Sequence, residues 1–261
     1  MKKLFRFVCF FLVLLSVGAC GGSNAALDKI RRNGSLRVGV KVDVLGFGYL
    51  NPATGLIEGL EVDLAKLIAE EILGNGEAVE LFGVTAQTRE PMLENGELDI
   101  VIATFTITPE REKRFHFTAP YYHDELGFLV TKSSQFTTIS DLDGKTIGVA
   151  NSGTARDALK VEAEKLGIDL YYKEYASYPE IKAALISGKV DAFSVDKSIL
   201  QGYKDENTLI LEEGFNPQDY GIASHLNNKD LAKYLDNLMV TIEKDGRLTE
   251  ILTRWGVAAA S

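Results

Sequence analysis

The stretch Thr104-Phe105-Thr106-Ile107-Thr108-Pro109-Glu110-Arg111 places three hydroxyls and one permanent cation directly after an apolar run, Ile100-Val101-Ile102-Ala103. The run reads as a buried parallel strand. Thr108, Pro109 and Glu110 read as the N-cap, first position and first-turn acid of a helix. In an open α/β sheet, ligands lie at the carboxyl ends of strands, and helix starts present free N–H donors there. The Arg111 guanidinium adds a planar, bidentate donor of fixed charge, which suits a carboxylate. The plain alternative is an ordinary strand-to-helix turn with a solvated arginine. The octapeptide alone leaves both readings open.

The elements that would position this stretch alternate along the chain. Leu36–Val40 reads as a strand, and residues 60–72 as a helix with apolar side chains at helical spacing that stops before Gly74. Residues 146–150 form a second such strand, followed by a helical stretch from Thr154 to Leu166 that stops at Gly167. Helices over 231–242 and 248–255 close the chain. One internal echo matters more: Leu93-Glu94-Asn95-Gly96-Glu97-Leu98-Asp99 is matched by Leu185-Ile186-Ser187-Gly188-Lys189-Val190-Asp191. Each is a helix end, a glycine cap, a turn and an aspartate entering an apolar strand. Five residues beyond each aspartate stand Thr104 and Asp196. If the echo is a structural repeat rather than two similar common units, two lobes face each other and Thr104 meets Asp196 across a cleft.

At the N-terminus, Met1-Lys2-Lys3-Leu4-Phe5-Arg6 is a short basic region, followed by an apolar core from Phe7 to Leu15 and then Val17-Gly18-Ala19-Cys20. The core is too short to remain across a bilayer, so residues 1–19 read as a secretory signal. Small residues ending in a cysteine resemble a bacterial lipobox, with Cys20 lipidated as the first mature residue and residues 20–26 as a flexible tether. Cys9 leaves with the signal and Cys20 is acylated, so no disulfide is expected. Loss of Lys2, Lys3 and Arg6 takes the formal charge from −9 to −12, which disfavours nucleic acid and anionic lipid surfaces as partners. His116, His123 and His225 are scattered without ligand spacing, so no metal or cofactor is expected. The mature length of about 240 residues fits one large domain or two modest ones.

The motifs Gly59-Leu60-Glu61-Val62-Asp63-Leu64-Ala65, Asn95 to Asp99, Ala103 to Arg111, Phe117-Thr118-Ala119-Pro120-Tyr121-Tyr122, Asp141 to Val149 and Trp255-Gly256 run in order across nearly the whole mature chain. With them the sequence resembles the extracellular solute-binding proteins of polar amino-acid ABC importers (family 3), closest to aspartate-, glutamate- and glutamine-binding members. The resemblance implies an α/β fold of two lobes, each an open sheet, joined by a two-strand hinge that closes around ligand. It places lobe 1 at 27–120 plus 221–261, the hinge at 121–125 and 216–220, and lobe 2 at 126–215. It implies an extracytoplasmic, lipid-anchored monomer that captures an amino acid and delivers it to the importer's membrane subunits, with no enzymatic step.

Carried over residue by residue, Arg111, Thr106 and Thr154 match positions that hold the ligand α-carboxylate. Asp196 matches the acid facing the α-ammonium, helped by the Thr104 carbonyl. Lys41, Arg89 and Tyr178 match contacts to the ligand side chain. Two cations there imply an acidic ligand, aspartate or glutamate, with glutamine as competitor. Ala86 stands where some acidic-ligand binders carry serine, and lone cations such as Lys41 are often merely solvated. Phe47, Tyr49 and Phe105 could form an apolar wall or plain core. An enzyme on the same scaffold, of dehydratase or glycan-cleaving type, would need a general acid or base in the cleft, where Asp196 is the one carboxylate on offer. A sensory or adhesive role would use the same pocket with a different partner. Only Gly256 to Ser261 follow Trp255, so no fused receptor domain is expected.

If Cys20 anchors the chain, Cys20→Ser should move the protein from the membrane fraction into the medium or periplasm, as immunoblots of cell fractions would read. Unchanged processing and membrane retention would overturn the lipobox reading.

Overall fold

A computed structural model describes residues 25–257. The signal segment, Cys9, Cys20 and the tether up to residue 24 lie outside the described residues. Ala26, which the sequence reading put in the tether, is helical. Ala26 already opens the helix Ala26–Asn33, because the Asp230 carboxylate accepts from the free N–H groups of Ala26 and Leu27 at 3.2 and 2.9 Å.

Two sheets follow the same scheme. In the first, the parallel strands Val79–Gly83, Leu36–Val40 and Ile100–Ile102 lie side by side, and Ala223–His225 joins antiparallel to the last of them. In the second, Leu170–Tyr175, Lys145–Ala150 and Ala192–Asp196 form the parallel trio, and Tyr122–Thr131 joins antiparallel. The chain passes between the sheets twice. Tyr122–Thr131 pairs with Phe215–Tyr220, from Tyr122 opposite Tyr220 to Glu125 opposite Pro217. Phe47, Tyr122 and Tyr220 pack at this crossing with ring centroids 5.0 to 6.0 Å apart, and Phe47 has no exposed surface. It belongs to the core, where the apolar packing runs continuously from one lobe to the other.

The echo read in the sequence is a repeat of hydrogen bonds as well as of elements. Asp99 N–H donates to the Arg37 carbonyl and its carboxylate accepts the Arg37 N–H, each at 2.9 Å. Asp191 makes the same two bonds to Thr146, each at 2.8 Å. Glycine follows at the same place in each first strand for the same reason. A Cβ on Gly39 would stand 2.7 Å from Leu98, and one on Gly148 would stand 3.2 Å from Val190, the residues just before the two aspartates. The halves diverge at the strand ends, since Asp196 still lies in its strand, whereas Thr104 is past Ile102 with a left-handed backbone (φ +41°).

The helices bear on the lobes as their patterns demand. Leu60–Leu73 buries Leu64, Ala65, Ile68 and Ile72 and ends at Gly74 with φ +70°. Gly59 before it has φ +141°, and a Cβ there would strike the Phe47 carbonyl. Among the described residues, no helix is long and apolar enough to cross a membrane.

The two aspartate locks differ in burial, which sets their worth. Asp99 is 9 % exposed and also takes the Arg37 Nε and Nη2 donors at 3.2 and 2.6 Å, whereas Asp191 is exposed. Asp99→Ala should cost about 2–3 kcal/mol and Asp191→Ala about 1 kcal/mol, read from urea unfolding midpoints.

Candidate functional site

The carboxyl ends of the two parallel trios face each other, and a cavity lies between them. Its wall carries Arg89, Thr104 and Thr106 from the first lobe and Thr154, Tyr178 and Asp196 from the second. Six residues singled out in the sequence therefore meet here. Thr104 and Asp196 do line one cleft, as the echo required. The closed cavity is only about 20 Å3, room for roughly one water molecule. A larger ligand would need the lobes to part.

Asp196 owes its freedom to a substitution of roles at a helix start. It stands at the N-cap of Lys197–Tyr203, where a carboxylate ordinarily accepts from the first-turn N–H groups, yet it makes no such bond. Asp124, on the hinge strand, accepts the Ser198 N–H at 3.1 Å and the Ser198 hydroxyl at 2.5 Å instead. Asp196 is left 5 % exposed with no donor on Oδ1. Burial, reinforced by the nearby Asp124 charge, pushes its carboxyl up to about 7.

Arg111 reaches the site as the sequence suggested, through a short helix, Pro109–Glu112, whose N-cap Thr108 hydroxyl accepts the Arg111 N–H at 3.3 Å. Its side chain lies in the adjoining mouth, about 700 Å3, which shares Thr106 and Thr154 with the inner cavity. The guanidinium donates to Glu90 Oε1 at 3.1 Å, to the Thr106 carbonyl at 2.8 Å and, across the cleft, to the Ser152 carbonyl at 3.2 Å. Burial lowers it to about 10, with the Arg89 charge adding to the effect.

Arg89 is 3 % exposed and donates Nη1 to the carbonyls of Ala103 and Thr104 at 2.7 and 3.1 Å. Its Nε has no partner, and no carboxylate among the described residues pairs with it in an ion bridge. Phe105 lies beneath both arginines, 4.2 Å from the Arg89 guanidinium carbon and 4.7 Å from that of Arg111. It is a platform for cations as well as core. Lys41 is also buried, but one layer back. Its Nζ is 3.0 Å from Asp43 Oδ1 and 4.5 Å from the centre of the Tyr178 ring, which stands between it and the cavity. Burial lowers the Lys41 ammonium against the opposing pull of Asp43.

Apart from Asp43 Oδ1, which Lys41 Nζ meets at 3.0 Å, five buried side-chain polar atoms among the described residues have no hydrogen-bond partner, and four belong to Glu61, Arg89, Thr104 and Asp196. Buried polar groups without partners are rare because each costs about 1–3 kcal/mol. Those of Arg89, Thr104 and Asp196 lie on the cavity wall, where a polar ligand can supply the missing partners, whereas Glu61 lies behind it.

Glu61 was missed as a site residue by sequence reasoning. It has no exposed surface, and its Oε1 accepts from the Thr104 N–H at 2.5 Å and the Tyr121 hydroxyl at 2.8 Å, holding Thr104 in its left-handed turn. Burial pushes its carboxyl up to about 7. The signal was present, because Glu61 shares a helix face with Ala65, Ile68 and Ile72, where an acid is out of place. Gln218, which accepts from the Thr106 and Thr154 hydroxyls, carried no such signal.

The sequence profile of the bacterial extracellular solute-binding proteins, family 3, matches residues 36–258. This chain belongs to that family, whose members work outside the cytoplasm, and it has their two-lobe fold. It is similar to the ABC transporter glutamine-binding protein GlnH of Bacillus subtilis, 35% identical, over 98% of this chain and 97% of that one. It is also similar to the glutamate-binding protein GluB of Corynebacterium efficiens, 30% identical, over 92% and 85% of the two chains. Among solved structures, the cysteine-binding protein from Campylobacter jejuni matches with a TM-score of 0.80 and 29% identity, over 88% of this chain and 92% of that one.

A protonated Asp196 cannot neutralise an ammonium, so below pH 7 such a ligand must first expel a proton from it. Affinity should therefore be full above about pH 8 and fall by up to about tenfold per pH unit below 7. Calorimetric titration from pH 5 to 8 reads this slope. Asp196→Asn should bind more than about a hundredfold more weakly and show a flatter profile.

Proposed function

We propose that this chain is the substrate-binding protein of an amino-acid ABC importer and that its ligand carries a second carboxylate, as aspartate or glutamate does. The observation behind the acidic ligand is Arg89. A guanidinium 3 % exposed, on the cavity wall, with no anionic partner among the described residues, calls for an anion from the ligand. Arg111, with Thr106 and Thr154 beside it, takes the α-carboxylate, and Asp196 with the Thr104 carbonyl takes the ammonium. Tyr178 and Lys41 back the side-chain end. The hinge at 121–125 and 216–220 lets lobe 1, at 27–120 plus 221–261, close on lobe 2, at 126–215, around the bound zwitterion.

Glutamine is the second reading, favoured by its place among the relatives and by the Lys41–Asp43 pair. That pair neutralises one of the two cations that would otherwise call for an acidic side chain. The way the carboxyls are engaged supports binding without catalysis. Asp196 serves the ammonium, and Glu61 is held by Thr104 and Tyr121 away from the cavity wall. Lipid on Cys20 would keep the body close to the importer in the bacterial membrane.

Calorimetry with aspartate, glutamate, asparagine and glutamine tests the ligand. The acids should bind at least about tenfold tighter than their amides, a difference of about 1.4 kcal/mol. Arg89→Met should compress that ratio by weakening the acids far more than glutamine. Equal or tighter glutamine binding by the unaltered protein overturns the acidic ligand and leaves the amino-acid reading standing. No binding of any amino acid overturns both.

A further inference from the structure

Thr106 and Thr154 come from opposite lobes, and neither hydroxyl hydrogen is unengaged. Thr106 Oγ1 donates to Gln218 Oε1 at 2.8 Å, and Thr154 Oγ1 donates to the same oxygen at 2.7 Å. Gln218 lies on the hinge strand Phe215–Tyr220, opposite Asp124, and is 1 % exposed. Its amide nitrogen donates to the carbonyls of Asn216 and Pro217 at 3.0 and 3.2 Å. Those two carbonyls accept only, so they fix which end of the amide is nitrogen. Oε1 must face the threonines. The seat is sharply built, with Asn216 itself in a left-handed backbone at φ +48°.

This arrangement has a chemical consequence for the ligand site. A hydroxyl has one hydrogen, so a threonine that donates to Gln218 cannot at the same moment donate to a carboxylate. We propose that Gln218 is the positioning residue of the carboxylate end: its amide oxygen holds one hydroxyl from each lobe across the cleft and releases both to the ligand α-carboxylate. The exchange gives up two neutral hydrogen bonds and makes two charge-assisted ones, so the carboxylate wins the hydroxyls. Because the amide sits on the hinge strand, it holds the lobes together through the same two bonds that ligand entry must break. The proposal rests on the amino-acid reading above and adds to it a residue that touches both lobes but does not line the inner cavity.

The test uses the mature chain with L-aspartate and L-glutamate against isoasparagine and isoglutamine, their analogues in which the α-carboxylate is an amide. Gln218→Glu places an anion where the α-carboxylate competes for hydrogens. It should weaken the two acids by roughly tenfold or more and their α-amides by less than about threefold. A merely structural Gln218 would cost all four ligands alike, and equal losses, or none, overturn the proposal. Wild-type failure to bind either acid overturns the acidic-ligand reading alone, and L-glutamine against its α-amide then takes their place in the same comparison; failure to bind any amino acid overturns the amino-acid reading itself, and the proposal with it. Should Gln218→Glu not fold, Gln218→Met keeps the size but cannot accept a hydroxyl hydrogen. Fluorescence transfer between dyes on the two lobes should then show a longer mean separation without ligand and an unchanged one at saturation. A ligand-free separation equal to wild type overturns the proposal.

Discussion

The hydrogen bond from the Ser198 N–H to Asp124 settles the character of the cleft. The N–H groups at the start of Lys197–Tyr203 need an acceptor, and Asp196 is the nearest carboxylate in sequence. Had Asp196 capped its own helix, the cleft would hold arginines with no opposing anion. Because a hinge residue takes that duty at 3.1 Å, the acid at the strand end stays buried on the cavity wall with its Oδ1 unpartnered. Asp124 thereby ties the second lobe's site to the strand on which the lobes turn.

Charge balance around the cavity follows from the same economy of partners. Lys41 has Asp43 and Arg111 has Glu90, so these two cations carry compensation from within the chain. Arg89 and Asp196 do not. A zwitterion with one further negative group would meet the unpaired members on both sides and leave no net buried charge on them. Burial would sharpen such a preference, since an unpaired charge is far more costly in a closed, nearly dry cavity than in an open one.

Holding such groups apart requires rigid supports, and the supports are also polar and buried. Glu61 fixes Thr104 in a backbone conformation that a β-branched residue rarely adopts, and Tyr121 at the crossing shares the same oxygen. Gln218 fixes two threonines from its own seat on the other crossing strand. Each support ends on a hinge residue. Opening the lobes would therefore disturb the site and the hinge together, so capture of a ligand there would be coupled to closure.

Local pattern was enough for much of this. Apolar runs, glycine stops and the Thr108-Pro109 cap gave the strand and helix sequence, and the paired aspartates gave the repeat, because these depend on backbone bonds between near neighbours. The octapeptide ending in Arg111 was legible for the same reason. Tertiary structure alone decided which of the polar groups were already taken. Nothing in the sequence joins Lys41 to Asp43 rather than to a ligand, lends Asp124 to Ser198 at a separation of 74 residues, or brings Gln218 to Thr106 at a separation of 112. Those pairings form only when two lobes and two crossing strands are in place. A polar side chain is available to a ligand only if no distant part of the chain has claimed it.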